Sequence, residues 1–425
     1  MWGAYATDDG MGWFGDYHLN YNYQAPFYAL TSCNHTELLA CYCAPLNDFL
    51  PRARQYAREF LGIEGALYPV GIGPLGLETD YRPETTEHGH LFHGQKSNGA
   101  YAAVIPMMHW YGTRDTEFAR REYYDFLLSI AEFWENYLVF EDGAYHNYND
   151  ALNEVAWFLG PDYQPEGHDD QDPIVCRGLI RMLMKLMIDL SGALGLNADK
   201  IPKWQHILDH LPTDDTFEQD GKPFLRGIAN CEDIRELALE YIYPTGQVGR
   251  YSTPALYEAA INTHRHLNIW DSHNRFCSYY PEAARLGYPA EEIVSHIHEI
   301  INERGLPNGM FRYGGGGLEN SSAIPTTVNE MLLQSYEGII RLFPVWKQNA
   351  RFHGLRANGA FVIDAQQENG RIHAEILSEK GMPLTLEAPG NGYILIMGDG
   401  RKLSVTEALM TVETCIGERI MLVAE

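Results

Sequence analysis

The chain has 425 residues and a mass of 48.2 kDa, enough to bury one large core and a smaller one. Its hydrophobic content of 45% and aromatic content of 12% are those of a globular protein and exclude extended disorder. A formal net charge of −26 repels phosphate backbones and anionic membrane surfaces, so nucleic acid and membrane are excluded as partners and a neutral small molecule or sugar is the expected ligand.

In chain order, Met1-Trp2-Gly3-Ala4 offers neither a basic region nor an apolar stretch, and no run reaches the roughly 20 apolar residues that span a bilayer. The expectation is a cytoplasmic chain, or a secreted or periplasmic one if a leader has been trimmed away. The segment Gly15-Asp16-Tyr17-His18-Leu19-Asn20-Tyr21-Asn22-Tyr23-Gln24 reads as extended, which would point the amides of Asn20 and Asn22 the same way; taken alone, the pair is ordinary loop chemistry. Seven cysteines without repeated spacing do not form a disulfide framework, and the cluster Cys33, Cys41, Cys43 reads as free thiols. Helical periodicity predicts helices over 36–48 and 53–61, with a long functional loop over 68–100. On that loop His88, His90 and His93 lack a Cys or acidic partner at metal-binding spacing, so no metal is expected.

The run Tyr123, Phe126, Leu127, Ile130, Phe133, Trp134, Tyr137 and the run Leu179, Leu183, Leu186, Leu190 predict two buried helices around a second long loop, 144–171. Helices are also expected over 254–269, 290–302 and 327–342. Between the first two of these, Trp270-Asp271-Ser272-His273-Asn274 offers a stacking face and an amide; a buried structural Trp explains Trp270 equally well. Gly314-Gly315-Gly316-Gly317-Leu318-Glu319-Asn320 reads as a flexible loop carrying a carboxylate, with Thr326 and Thr327 capping the next helix; turning a corner is the plain alternative. After Phe343-Pro344 the period changes to two. Strands are expected over 360–365 and 371–376 about the Asn369-Gly370 turn, and then over 384–386, 393–397 and 420–423.

Two stretches carry a resemblance. Glu319-Asn320 through Glu330-Met331-Leu332-Leu333-Gln334-Ser335, with Ile339 to Pro344 and Gly354 to Ala357, resembles glycoside hydrolase family 95, and the Asn20-x-Asn22 segment is similar to a second motif of that family. The similarity in order and spacing runs over roughly residues 13–375. Members are inverting α-L-fucosidases and α-L-galactosidases. The resemblance implies an (α/α)6 toroid over 1–348, a small C-terminal β-sandwich over 349–425, and a carbohydrate substrate with no cofactor. It also implies Glu319 as the general base, where the family has Asp, and Asn20 and Asn22 as holders of the attacking water. The family's Ser-Pro-Glu acid motif is absent. Order along the chain and the neighbours Val155 and Trp157 point instead to Glu154 as the acid, its pKa raised by burial, with Asp150 as close competitor. Asp150, Asp172, Trp270, Asn274 and Asn320 are the expected sugar ligands. Family members also carry a large N-terminal β-sandwich that the sequence as given lacks, so the expectation is either the catalytic part of a longer protein or a shorter relative. The expected function is an exo-acting inverting glycoside hydrolase. Two alternatives are an (α/α)6 phosphorylase, epimerase or lyase, for which no basic phosphate cluster is evident, and an inactive sugar-binding protein.

Overall fold

The computed structural model describes residues 16–79, 91–154, 170–272, 276–312 and 318–425, and within them the chain is helix-rich with a C-terminal sheet region. Helix α1, Leu39–Leu61, merges the two helices expected over 36–48 and 53–61. Pro45 and Pro51 lie inside it, but buried residues at three-and-four spacing from Leu39 to Ala57 anchor one face, and that packing carries the helix past both prolines. Gly62, at φ 67°, ends it with its N–H on Ala57 and Arg58 carbonyls. The last residues of the expected loop over 68–100 already belong to α2, Asn98–Ala102, and α3, Val104–Thr113, follows it. A further helix, α4, Thr116–Glu122, is capped by the Asp115 carboxylate on the Phe118 N–H at 3.0 Å, and the aromatic run then forms α5, Tyr124–Tyr137, with Tyr123 just ahead of it.

Helix α6, Ile174–Leu194, is apolar nearly all round, as a central helix must be, and it touches α2, α3, α4, α5 and α7, Ile201–Asp209. The remaining helices are α8, Pro254–Leu267, α9, Phe276–Arg285, α10, Ala290–Arg304, and α11, Leu318–Leu332. Helix α11 begins nine residues before the helix expected from 327, so Glu319 sits in its first turn and not on a loop. Thr326 and Thr327 are interior to it and bond back to the Ser322 and Ala323 carbonyls at 3.1 and 2.6 Å, so they do not cap it. Its packing partner is α9, where Arg285 makes a two-pronged ion pair with Glu330 at 3.0 and 2.8 Å between the rings of Tyr243 and Tyr336.

Short ribbons decorate the helical part: β1, Tyr17–His18, with β2, Gly71–Ile72; β3, Val139–Glu141, with β4, Ala144–His146; and β5, Thr216–Gln219, with β6, Lys222–Leu225. The end of the helix expected over 327–342 is instead a ribbon of β7, Leu333–Gln334, and β8, Arg341–Leu342. Beyond it come β9, Ala350–Ala357, β10, Phe361–Glu368, β11, Arg371–Ser378, β12, Leu384–Glu387, β13, Tyr393–Ile396, β14, Lys402–Val405, β15, Leu409–Val412, and β16, Glu418–Ala424. Six of these form an antiparallel sheet in the order β14-β13-β16-β11-β10-β9, and β12 pairs with β15. The Asn369-Gly370 turn joins β10 to β11 with both residues at positive φ, 49° and 76°, the conformation of a tight hairpin.

Two apolar cores result. One gathers side chains from Leu19 to Val345, the other those of the sheet together with Leu333, Ile340, Leu342 and Phe343, and Trp346 packs against both. Arg356 of β9 clasps the two parts, donating to Asn34 Oδ1, the Gly112 carbonyl and Glu379.

Candidate active site

The site begins at β1. Its pairing with β2 sets His18 opposite Gly71, and the Asp16 carboxylate lies against that glycine so closely that a Cβ there would meet Oδ2 at 1.8 Å. Both Asp16 oxygens face His18 Nδ1 at 3.2 Å, and His18 Nε2 faces Glu154 Oε1 at 3.4 Å. The chain then turns. Leu19 N–H bonds the Val70 carbonyl, Tyr23 N–H bonds the His18 carbonyl, and Tyr21 has φ 153°. Asn20 and Asn22 are therefore not on the extended segment the alternation predicts, and each amide reaches a different carboxylate. Asn20 Nδ2 donates to Glu154 Oε1, 134 residues away, and Asn22 Nδ2 donates to Glu319 Oε1 at 3.0 Å, 297 residues away. Asn20 also donates to Gln95 Oε1 at 3.3 Å, and its own Oδ1 is buried without accepting a hydrogen bond from a described protein group. A narrow cavity opens beside Asn20, walled by Gln95, Tyr101, Cys176, Leu237 and Glu240.

The electrostatics of this cluster differ from expectation at Glu154. Burial acts to raise its pKa, but the hydrogen bond from His18, the charges of His18 and His93 and the Asn20 amide outweigh it, and the carboxyl is held below its ordinary value. His18 is the reverse case. Burial would lower it, yet the hydrogen bonds and charges of Asp16 and Glu154 push it up to about 9, so the imidazole carries a proton at neutral pH. The pair holds one proton, on the imidazole in the substrate-free site.

Other expected site residues are placed elsewhere. Asp150 is 0% exposed, with one oxygen accepting from the Lys96 N–H at 2.7 Å and the other from Asn147 Nδ2 at 2.9 Å. Asp172 is 2% exposed and accepts from His146 Nδ1 and the Asn147 N–H, both at 2.7 Å. These carboxylates pin the loops that carry Glu154, and their burial leaves no surface for a sugar hydroxyl. Trp270 is 7% exposed. One face stacks on His296 at 4.2 Å while Tyr279, Tyr280 and Tyr288 meet its ring edge to face, so it is a core residue and not a stacking platform. Asn320 is buried beside Glu319 in the first turn of α11. Asn274, Val155, Trp157, His88, His90 and Gly314 to Gly317 lie outside the described residues; His93 packs its ring 6.5 Å from that of His18. Among the described residues no three of His, Cys, Asp and Glu are grouped to hold a metal ion, and no helix is long and apolar enough to cross a membrane.

The profile of the glycosyl hydrolase family 95 catalytic domain matches residues 1–273. The chain belongs to glycosyl hydrolase family 95. The match takes in Asn20, Asn22 and Glu154 and stops short of Glu319, whose carboxylate accepts a hydrogen bond from Asn22. Among solved structures, a human-microbiome protein described as a kojibiose phosphorylase is similar at TM-score 0.50 and 9% identity, over 93% of this chain and 59% of its own. An α-L-rhamnosidase from Dictyoglumus thermophilum is similar at TM-score 0.50 and 12% identity, over 94% of this chain and 45% of its own. A glycosidase solved with glucose matches at TM-score 0.50 and 9% identity, over 76% of this chain and 92% of its own. The chain thus spans about half the length of the first two, and the likeness is one of fold. No curated protein matches the sequence.

Asp16, His18, Gln95 and Glu240 border this cluster without being among the residues expected from the sequence. The first two had a signal. Asp16, His18, Asn20 and Asn22 stand at every second position of one short motif, so the alternation that singled out the asparagines includes them as well.

Proposed function

We propose that this family-95 chain is an inverting, exo-acting glycoside hydrolase that releases a terminal fucose- or galactose-like sugar. In this reading Glu319 is the general base, Asn22 and Asn20 orient the attacking water, and Glu154 serves the leaving oxygen as acid. The observation that carries it is the convergence of two carboxylates, far apart in the chain, on two amides with one residue between them. An inverting pair needs its carboxyl groups about 6.5–9.5 Å apart with a water between. Alpha carbons two residues apart are separated by at most about 7 Å, a span suited to holding such a pair. The buried Oδ1 of Asn20 offers an acceptor to a water or sugar hydroxyl. We further propose that residues 1–348 form an (α/α)6 toroid, whose inner helix ends gather distant loops at one mouth, and that residues 349–425 form a β-sandwich.

Bond breaking then follows the chemistry of inversion. Glu319 takes a proton from the water as its oxygen attacks the anomeric carbon, and the glycosidic C–O pair leaves with the aglycone oxygen, which gains a proton on the Glu154 side. A phosphorylase reading is disfavoured because a phosphate in place of the water would sit beside Glu319, with Glu154 one asparagine away. The test is kinetic. Glu319→Gln keeps the hydrogen bond from Asn22 and removes proton acceptance, so kcat should fall by roughly 10²–10⁴-fold. Full kcat in Glu319→Gln would refute the assignment.

A further inference from the structure

We propose that Asp16 and His18 form a relay behind Glu154, so that the proton reaching the leaving oxygen is drawn from His18 through the Glu154 carboxyl. The inference rests on the reading of Glu154 as acid and adds a positioning residue to it.

The geometry comes first. Asp16 presents both oxygens to His18 Nδ1, so that nitrogen carries a hydrogen and Nε2 is aimed at Glu154 Oε1. His18 is 5% exposed, and Asp16 is pressed against Gly71 where no larger residue fits, so the two rings of contact cannot drift. Among the described residues the titratable groups facing His18 are Asp16 from its own segment, Glu154 from the segment after β4, and His93 from the loop ahead of α2. Two carboxylates against one imidazole keep it cationic, which agrees with its raised pKa and with the lowered pKa of Glu154. The Nε2 to Oε1 contact of 3.4 Å is long, as catalytic hydrogen bonds commonly are before substrate tightens them.

The balance of the step is simple. His18 Nε2 first passes its proton to the Glu154 carboxylate, and as the glycosidic C–O bond breaks with its electron pair staying on the aglycone oxygen, that same proton moves from the Glu154 carboxyl to that oxygen. Glu154 ends as the carboxylate it began as, His18 ends neutral, and Asp16 keeps its hydrogen bond to Nδ1. The water's proton ends on Glu319, so that glycoside and water give free sugar and alcohol. Solvent then reprotonates His18 and deprotonates Glu319.

A lone carboxylic acid loses its proton, and with it the reaction, at an alkaline limit near its own pKa. An acid fed by an imidazolium keeps working until the imidazolium titrates. The experiment therefore compares pH profiles of kcat/KM for the parent, His18→Gln and Asp16→Asn on a methyl glycoside, whose leaving oxygen needs a proton, and on the matching glycosyl fluoride, which does not. The sugar is whichever of L-fucose or L-galactose the parent cleaves. The relay predicts a parent alkaline limb near pH 9. In His18→Gln that limb should move down by about 2 pH units, with about 10-fold lost at pH 8 on the methyl glycoside and little lost on the fluoride. Asp16→Asn should move the limb the same way by less, and it serves in place of His18→Gln if that variant fails to fold. An alkaline limb unmoved in either folded variant overturns the relay and leaves the hydrolase reading standing. Full activity of Glu154→Gln on the methyl glycoside removes the acid assignment, and no cleavage of any glycoside removes the hydrolase reading; the relay falls with either.

Discussion

At Gly71 a single methyl group would land 1.8 Å from Asp16 Oδ2 and 3.1 Å from Thr79 Oγ1, so this glycine is kept for space. Gly71→Ala should displace the Asp16 carboxylate, lower stability by about 1–3 kcal/mol, and move the alkaline limb as Asp16→Asn does, which urea unfolding and a pH profile would read. His18 makes a second prediction, with a definite sign. Its folded pKa of about 9 lies above the ordinary 6.5, so its stabilising contribution is complete below about pH 6.5 and is lost as pH rises through about 9. Glu154 is lowered, so its contribution is present above about 4.5 and is lost as pH falls below that. His18→Gln should therefore cost up to roughly 3 kcal/mol at pH 6 and little at pH 10 in paired urea titrations. At this scale the Asn20-x-Asn22 segment was legible as a motif, but not its geometry: the chain turns there, and each amide reaches a different carboxylate. For Asp150, Asp172 and Trp270 the sequence left the surroundings open, because a side chain's type does not say whether its polar atoms or faces are taken up by the fold, as these are.

Helix α11 was half-legible. The Gly run and the Thr326-Thr327 pair read as boundary signals, yet the helix runs from Leu318 straight through Pro325, because its buried face against α9 outweighs one missing N–H. That packing also aims Glu319 at Asn22. The Arg285–Glu330 pair joins the two helices at 8% and 15% side-chain exposure. Glu330→Gln leaves the guanidinium uncompensated and should cost about 3–5 kcal/mol, whereas breaking a fully exposed pair such as Arg401–Asp399 should leave stability essentially unchanged. Because α11 carries the expected base, Glu330→Gln should also lower kcat in the fraction that stays folded. The long helix α6 was evident from apolar periodicity alone, whereas α1 was legible only as two helices, because Pro51 reads as a break that the buried face overrides. The short α2, α7 and α9 were not, since a window of ten residues or fewer carries too little period to register.

Across the whole molecule the change from helical to alternating pattern after Phe343 was the strongest signal in the sequence, because it reflects two separate apolar cores and each core imposes its own period. The ribbon β7 and β8 escaped notice. Its strands are two residues long, too short to alternate, and they lend Leu333 and Leu342 to the second core. Arg356 is the clasp between the parts, and Arg356→Ala should leave the Gly112 carbonyl, Asn34 and Glu379 without their donor, lowering stability by about 2–3 kcal/mol in calorimetry. The central claim concerns what the two carboxylates do together, and anomeric configuration reads that directly. Proton NMR of the sugar first released by the parent enzyme should show the anomer opposite to that of the substrate, with the signal lost in Glu319→Gln. A first-formed product of retained configuration would contradict the account, because it would require a carboxylate attacking carbon where this site is read as holding a water.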